Sequence, residues 1–81
     1  MFINKAPDGR NNLCGKQVAQ IRKSMRISQR ELADRLQISG LDLDKNAIQK
    51  IECGKRFVTD IELVVLSKTL SAPYSRLLSN D

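Results

Sequence analysis

Residues 28–36 read Ser28-Gln29-Arg30-Glu31-Leu32-Ala33-Asp34-Arg35-Leu36, and the fold turns on this stretch. Ser28-x-x-Glu31 is a capping box: Ser28 is expected to accept from a first-turn N–H, and Glu31 to reach back to the N–H of Ser28. Leu32, Ala33 and Leu36 then recur at the spacing that places them on one face of a helix, which is expected to end near Gln37. Downstream, Gly40 breaks the helical pattern, and Ile38, Leu41 and Leu43 are expected to anchor a connector in the core. Asp44 can cap a further helix over about 45–53, whose inward positions are Ile48, Ile51 and, in part, Ala47. Gly54 suits the left-handed residue that ends such a helix.

Upstream, Val18, Ile21 and Met25 predict a helix over about 15–25, with Gln17, Gln20, Arg22 and Lys23 around the rest of its surface. Thr59-Asp60-Ile61-Glu62 is a second capping box and opens a helix over about 60–70. That helix is apolar nearly all round (Ile61, Leu63, Val64, Val65, Leu66, Leu70), which predicts a central place or a covering partner. Pro73 fits the first turn of a last short helix, about 73–78, with Tyr74, Leu77 and Leu78 as its apolar face. Pro7, Asp8, Gly9, Asn11 and Asn12 are turn chemistry. Residues 1–13 are therefore expected to form a flexible or loosely docked arm, and 14–81 one all-α domain of five short helices.

Composition narrows the function. The chain has 81 residues, 4% of them aromatic, so its core must be aliphatic and thin. Its charge of +5 is uneven. Residues 1–56 hold 12 basic and 6 acidic residues, a balance of +6, while residues 57–81 hold 2 and 3, a balance of −1. Such concentration suggests a polyanionic partner, nucleic acid first, or else a plain solvated surface. Cys14 and Cys53 form no C-x-x-C, and there is no histidine, so neither a metal site nor a disulfide framework is expected. The start of the chain lacks a signal peptide's apolar run, and no stretch is long enough to span a membrane, so a cytoplasmic location is expected.

Residues 28–56 form a functional unit. A capped helix is followed by a turn and then by a helix whose outward residues are Lys45, Asn46, Gln49 and Lys50, none of them acidic. Lys can donate to guanine O6 and N7, and Asn and Gln can bond adenine N6 and N7, so this face can enter the DNA major groove. Gly54-Lys55-Arg56 then sets two cations where phosphates would lie. A helical bundle with a solvated polar face accounts for each of these residues singly. The joint order of capped helix, turn, polar helix and Gly-Lys-Arg is far less common by chance.

The chain resembles the phage-repressor-like, or XRE, helix-turn-helix family, which includes Cro and lambda-type repressors. The matching stretches are 15–22, 28–36, 48–56 and the two closing helices, and the resemblance covers about residues 15–78. It implies a compact five-helix domain, lambda-repressor-like, that binds operator DNA as a dimer. It implies that Gln29 contacts a phosphate and braces the recognition helix, and that Lys45, Asn46, Ala47, Gln49 and Lys50 occupy recognition positions. Ala47 can offer a methyl group to thymine. Lys55 and Arg56 match backbone-contacting positions, and Arg22 and Glu52 match a salt-bridged pair.

One departure is the turn lengthened by Ser39-Gly40-Leu41-Asp42-Leu43, which is expected to lengthen or tilt the start of the recognition helix. Asp42 and Asp44 are assigned to capping. The expected function is thus sequence-specific binding of double-stranded DNA by a small transcriptional regulator, a repressor. A protein-interaction module of the same fold, antitoxin-like or regulator-binding, is the alternative. No enzyme, cofactor, small-molecule ligand or membrane partner is expected. A homodimer through the two C-terminal helices is.

Overall fold

The computed structural model describes residues 4–79 and contains five helices and no strand among them. They are α1 (Gly15–Ser24), α2 (Gln29–Ile38), α3 (Lys45–Glu52), α4 (Asp60–Leu70) and α5 (Tyr74–Leu77). The core is aliphatic throughout. Val18 and Ile21 of α1 meet Leu32 and Leu36 of α2, Ile48 and Ile51 of α3, Leu66 and Leu70 of α4, and Leu77 of α5.

Local chemistry sets the helix starts. Ser28, Asp44 and Thr59 each accept from the backbone N–H three residues on, at 3.0, 2.8 and 3.2 Å. Each thereby satisfies one of the donors that a helix start leaves without a partner. The Thr59 capping box is complete, because the Thr59 N–H also donates to Glu62 Oε1 at 3.0 Å. At Ser28 the expected box is half formed. The Glu31 carboxylate turns forward to Arg35, one turn along, at 3.2 Å, a pairing favoured by the i,i+4 spacing. Pro73 stands just before α5 as its N-cap, not in its first turn.

The ends of α1, α2 and α3 share one device. The N–H of the second residue beyond the cap bonds back five positions, as in Ile27 to Arg22, Leu41 to Leu36 and Lys55 to Lys50, at 3.3, 2.9 and 2.9 Å. The residue in between adopts positive φ, and Gly54 does so at 83° without the steric cost a side chain would bring. This device explains the lengthened turn. The extra residues stay in the loop, and α3 begins at Lys45 with eight residues, so it is not lengthened. Leu41 folds back half-buried and Leu43 is buried, as expected. Ile38 is not an anchor. It is 87% exposed, because the turn carries the chain inward only after Gly40.

Three further expectations change. Gln17 is buried, not peripheral, and accepts from Arg76 Nε of α5 at 3.2 Å. Asp44 caps α3, whereas Asp42 is exposed in the loop. The last part of the expected arm packs against α3, with Asn12 only 8% exposed. Residues 1–3 of that arm lie outside the described residues.

Candidate nucleic-acid interface

The structure turns one side of α3 into the core and leaves the other to solvent. Ile48 and Ile51 are buried, and Ala47 is half-buried. Lys45, Asn46, Gln49 and Lys50 are all exposed. The acceptor that caps the helix, Asp44, is engaged with the Ala47 N–H, so its carboxylate is tied to the start of the helix.

The back of α3 is fixed by a charge-assisted network. Arg22 Nε and Nη2 donate to Glu52 Oε2 and Oε1 at 2.7 and 3.1 Å, a bidentate fork. Arg22 Nη1 also donates to the Ile27 carbonyl at 2.8 Å. Gln29 Nε2 donates to Glu52 Oε1 at 3.0 Å. Both charges sit in a low-dielectric setting, with side chains 11% and 9% exposed, where each requires the other. The amide of Gln29 therefore braces α3 from the first residue of α2.

Lys55 and Arg56 differ. Lys55 is exposed just beyond α3. Arg56 is held by Glu62 of α4, with Nη1 and Nη2 donating to the two carboxylate oxygens at 2.8 and 2.9 Å. Nη1 donates in addition to the Phe57 carbonyl at 2.8 Å. The pairing holds the Glu62 carboxyl below its ordinary range and raises Arg56, the bond between them being the main cause for each. Arg56 thus ties the loop after α3 to the start of α4.

Two sets of residues here were not assigned from the sequence. Arg26 and Arg30 flank Gln29 and are exposed, adding cations beside the first turn of α2. Their signal in the sequence is charge on either side of Gln29. Arg10, Asn11 and Asn12 donate to the end of α3 and its following loop. Their partners lie 39 to 44 positions away in the chain, a separation no local pattern discloses.

Among the described residues, no helix is long and apolar enough to cross a membrane. No group of three or more His, Cys, Asp and Glu side chains is placed among them to hold a metal ion. Neither a family model nor a curated protein matches the chain. Among solved structures it is similar to the P22 c2 repressor protein, whose crystal structure is of a complex with synthetic operator 9T in the presence of Tl+. The identity is 27% and the TM-score 0.70, over 86% of this chain and 98% of that one. With five helices in a compact arrangement and that similarity over most of both chains, this chain has the helix-turn-helix fold of a phage repressor.

Proposed function

We propose that this protein binds double-stranded DNA at specific sequences as a small transcriptional regulator, a repressor, reading the major groove with α3. The observation that carries this reading is the state of α3. Its rear is locked by Arg22, Glu52 and Gln29, while Lys45, Asn46, Gln49 and Lys50 remain exposed on a helix with no acidic residue on that face. A similar chain, the P22 c2 repressor, was solved on operator DNA. In this reading Gln49 and Lys50 contact base edges, with Lys45, Asn46 and the methyl of Ala47 beside them. Lys55 contacts a phosphate, Gln29 faces the backbone while bracing α3, and Arg56 supports the loop through Glu62. The role involves no catalysis and operates in the cytoplasm.

The same reading includes a homodimer. On α4, Ile61 is 70% exposed and Val64 is exposed, as are Tyr74 and Leu78 at the two ends of α5. They supply apolar surface that association would remove from water. Leu77 is fully buried in the core, so it contributes to folding, and Tyr74, Ile61 and Leu78 are the interface residues. In such a dimer the two copies of α3 would lie about 34–36 Å apart, one turn of DNA.

Selection of bound duplexes from a random pool, followed by titration over a salt series, tests the function. Gln49→Ala and Lys50→Ala should each weaken the selected site by about 1–3 kcal/mol, the value of a good bidentate base contact. Lys55→Ala should weaken all duplexes alike and reduce the salt slope by about one. Unchanged site preference in both α3 variants would remove α3 as the reader. Binding without salt dependence would favour a protein-interaction module instead.

A further inference from the structure

We propose that Arg10, Asn11 and Asn12 are positioning residues for DNA binding: they hold the last turn of α3 and the loop after it in the pose that presents Lys55 to the duplex. The proposal rests on the DNA-binding reading above. Within six residues, five carbonyls accept from this short segment. Arg10 Nη2 donates to Glu52 O at 2.6 Å. Asn12 Nδ2 donates to Ile51 O at 3.1 Å and to Arg56 O at 2.7 Å. The Asn11 N–H donates to Gly54 O at 2.8 Å, and its Nδ2 to Lys55 O at 2.9 Å.

The other end of the clamp is α1. Asn12 Oδ1 accepts from the Gly15 N–H at 2.8 Å, in a buried position. The backbones of α1 and α3 meet there so closely that a Cβ on Gly15 would overlap the Ile51 carbonyl oxygen. The Arg10 side chain lies over Gly54, where a Cβ would come within 2.8 Å of it. Its guanidinium also faces the negative end of the α3 dipole, where a cation is favoured.

Helix termination does not explain this arrangement. The Gly54 and Lys55 N–H groups already close the end of α3 on Ile51 O and Lys50 O, as a C-terminal glycine turn does. The clamp adds bonds to the carbonyls of residues 54–56, in a surface loop where water could serve. What it changes is the freedom of that loop. A loop held before binding need not be ordered during it, and that ordering otherwise weakens association. Lys55 is the exposed cation in the loop. Asn12, at 8% exposure, is too deep to reach a phosphate itself, so its effect must pass through the loop.

The test is a double-mutant cycle in binding, using the full chain and the duplex recovered by selection. Arg10→Ala should lower affinity about fivefold to tenfold, the scale of leaving one or two side chains to be ordered on binding. In a Lys55→Ala background the same change should cost less than about twofold, because the residue being positioned is gone. Arg10→Lys, which retains one cationic donor for Glu52 O, should recover at least half of the loss. If Arg10→Ala fails to fold, Asn11→Ala, which removes the donor to the Lys55 carbonyl, carries the same cycle with the same overturning results. Amide exchange at Gly54, Lys55 and Arg56 should quicken in Arg10→Ala. An Arg10→Ala protein within twofold of wild type overturns the proposal, and so does an equal loss in both backgrounds, which would mean direct contact or general damage. A wild-type protein that binds no duplex overturns the DNA-binding reading itself, whereas binding with an uncoupled cycle overturns this proposal alone.

Discussion

Replacing Glu52 with leucine should destabilise the domain at least as much as replacing Arg22 and Glu52 together. The Arg22 guanidinium has three acceptor contacts, two on Glu52 and one on the Ile27 carbonyl. Without Glu52 a nearly buried cation keeps only the neutral carbonyl. Without Arg22, the Glu52 carboxylate keeps only the Gln29 amide. Breaking one side of a buried pair costs about 3–5 kcal/mol, whereas exchanging both for apolar residues of similar volume is often close to neutral. Since Ile27 O and Gln29 Nε2 remain as partial partners, the low end applies, about 3 kcal/mol for each single change. In Arg22→Met/Glu52→Leu the buried charges are gone, but the Ile27 carbonyl and the Gln29 amide lose partners, which limits the double cost to about 2–3 kcal/mol. The coupling is then about 3–4 kcal/mol, at or just above the upper end for residues in contact.

Urea denaturation of the four proteins of this cycle measures these terms. A loss of 3 kcal/mol is a large share of the roughly 5–15 kcal/mol that holds a domain folded. For a chain of this size it corresponds to a fall in Tm of roughly 10–25 °C. Single costs that sum to the double cost within about 0.5 kcal/mol would refute the reasoning, because that is the behaviour of independent sites.

Three other outcomes follow from particular contacts. The Arg56 guanidinium holds the Glu62 carboxyl below its ordinary range, so its stabilisation is complete above the unfolded pKa of about 4.3 and is lost as pH falls through the lower folded value. Wild type should therefore lose stability below about pH 4 more steeply than Glu62→Gln, whose amide oxygen can still accept from Thr59, and parallel urea midpoints from pH 6 to 3 for the two proteins would contradict this. Burial pushes the Cys14 thiol up to about 11, so iodoacetamide at pH 8 should label exposed Cys53 in the folded protein and Cys14 only after denaturation, as peptide mass mapping would show. Ile38→Lys should leave stability within about 0.5 kcal/mol of wild type, since the residue is 87% exposed; a large fall in Tm would restore it as a core anchor.

The helix starts were legible because their causes are local. Ser28, Asp44 and Thr59 act within three residues of themselves, and α4 begins and ends at the expected residues. The exposed face of α3 was legible too, because Ile48 and Ile51 alone fix its inward side. Gln17 was readable in principle. Cys14, Gln17, Val18 and Ile21 follow the i, i+3, i+4, i+7 spacing of one stripe, but polarity alone argues for the outside, and the partner that permits burial, Arg76, lies 59 positions on. Ile38 shows the opposite case: hydrophobicity suggests burial, while the path of the turn decides exposure. Arg56 looked like a free cation beside Lys55, and only the approach of α4 shows that Glu62 takes it. Helix periodicity and capping thus carried the fold, while the polar contacts between elements required the assembled chain.

Those contacts also explain how the proposed reading face can vary without endangering the fold. α3 is held at its start by Asp44, along its inner side by Ile48 and Ile51, and near its end by Arg22, Gln29, Arg10 and Asn12. None of these groups belongs to the set Lys45, Asn46, Gln49 and Lys50. Exposed helix positions with no such contacts usually tolerate substitution within about 0.5 kcal/mol. Base recognition at the same positions is worth about 1–3 kcal/mol for each good contact. The two scales differ enough that replacing all four residues should redirect or abolish site preference while the protein still folds. The anchoring residues have the opposite balance, since changing them moves the whole helix and with it every contact on its face.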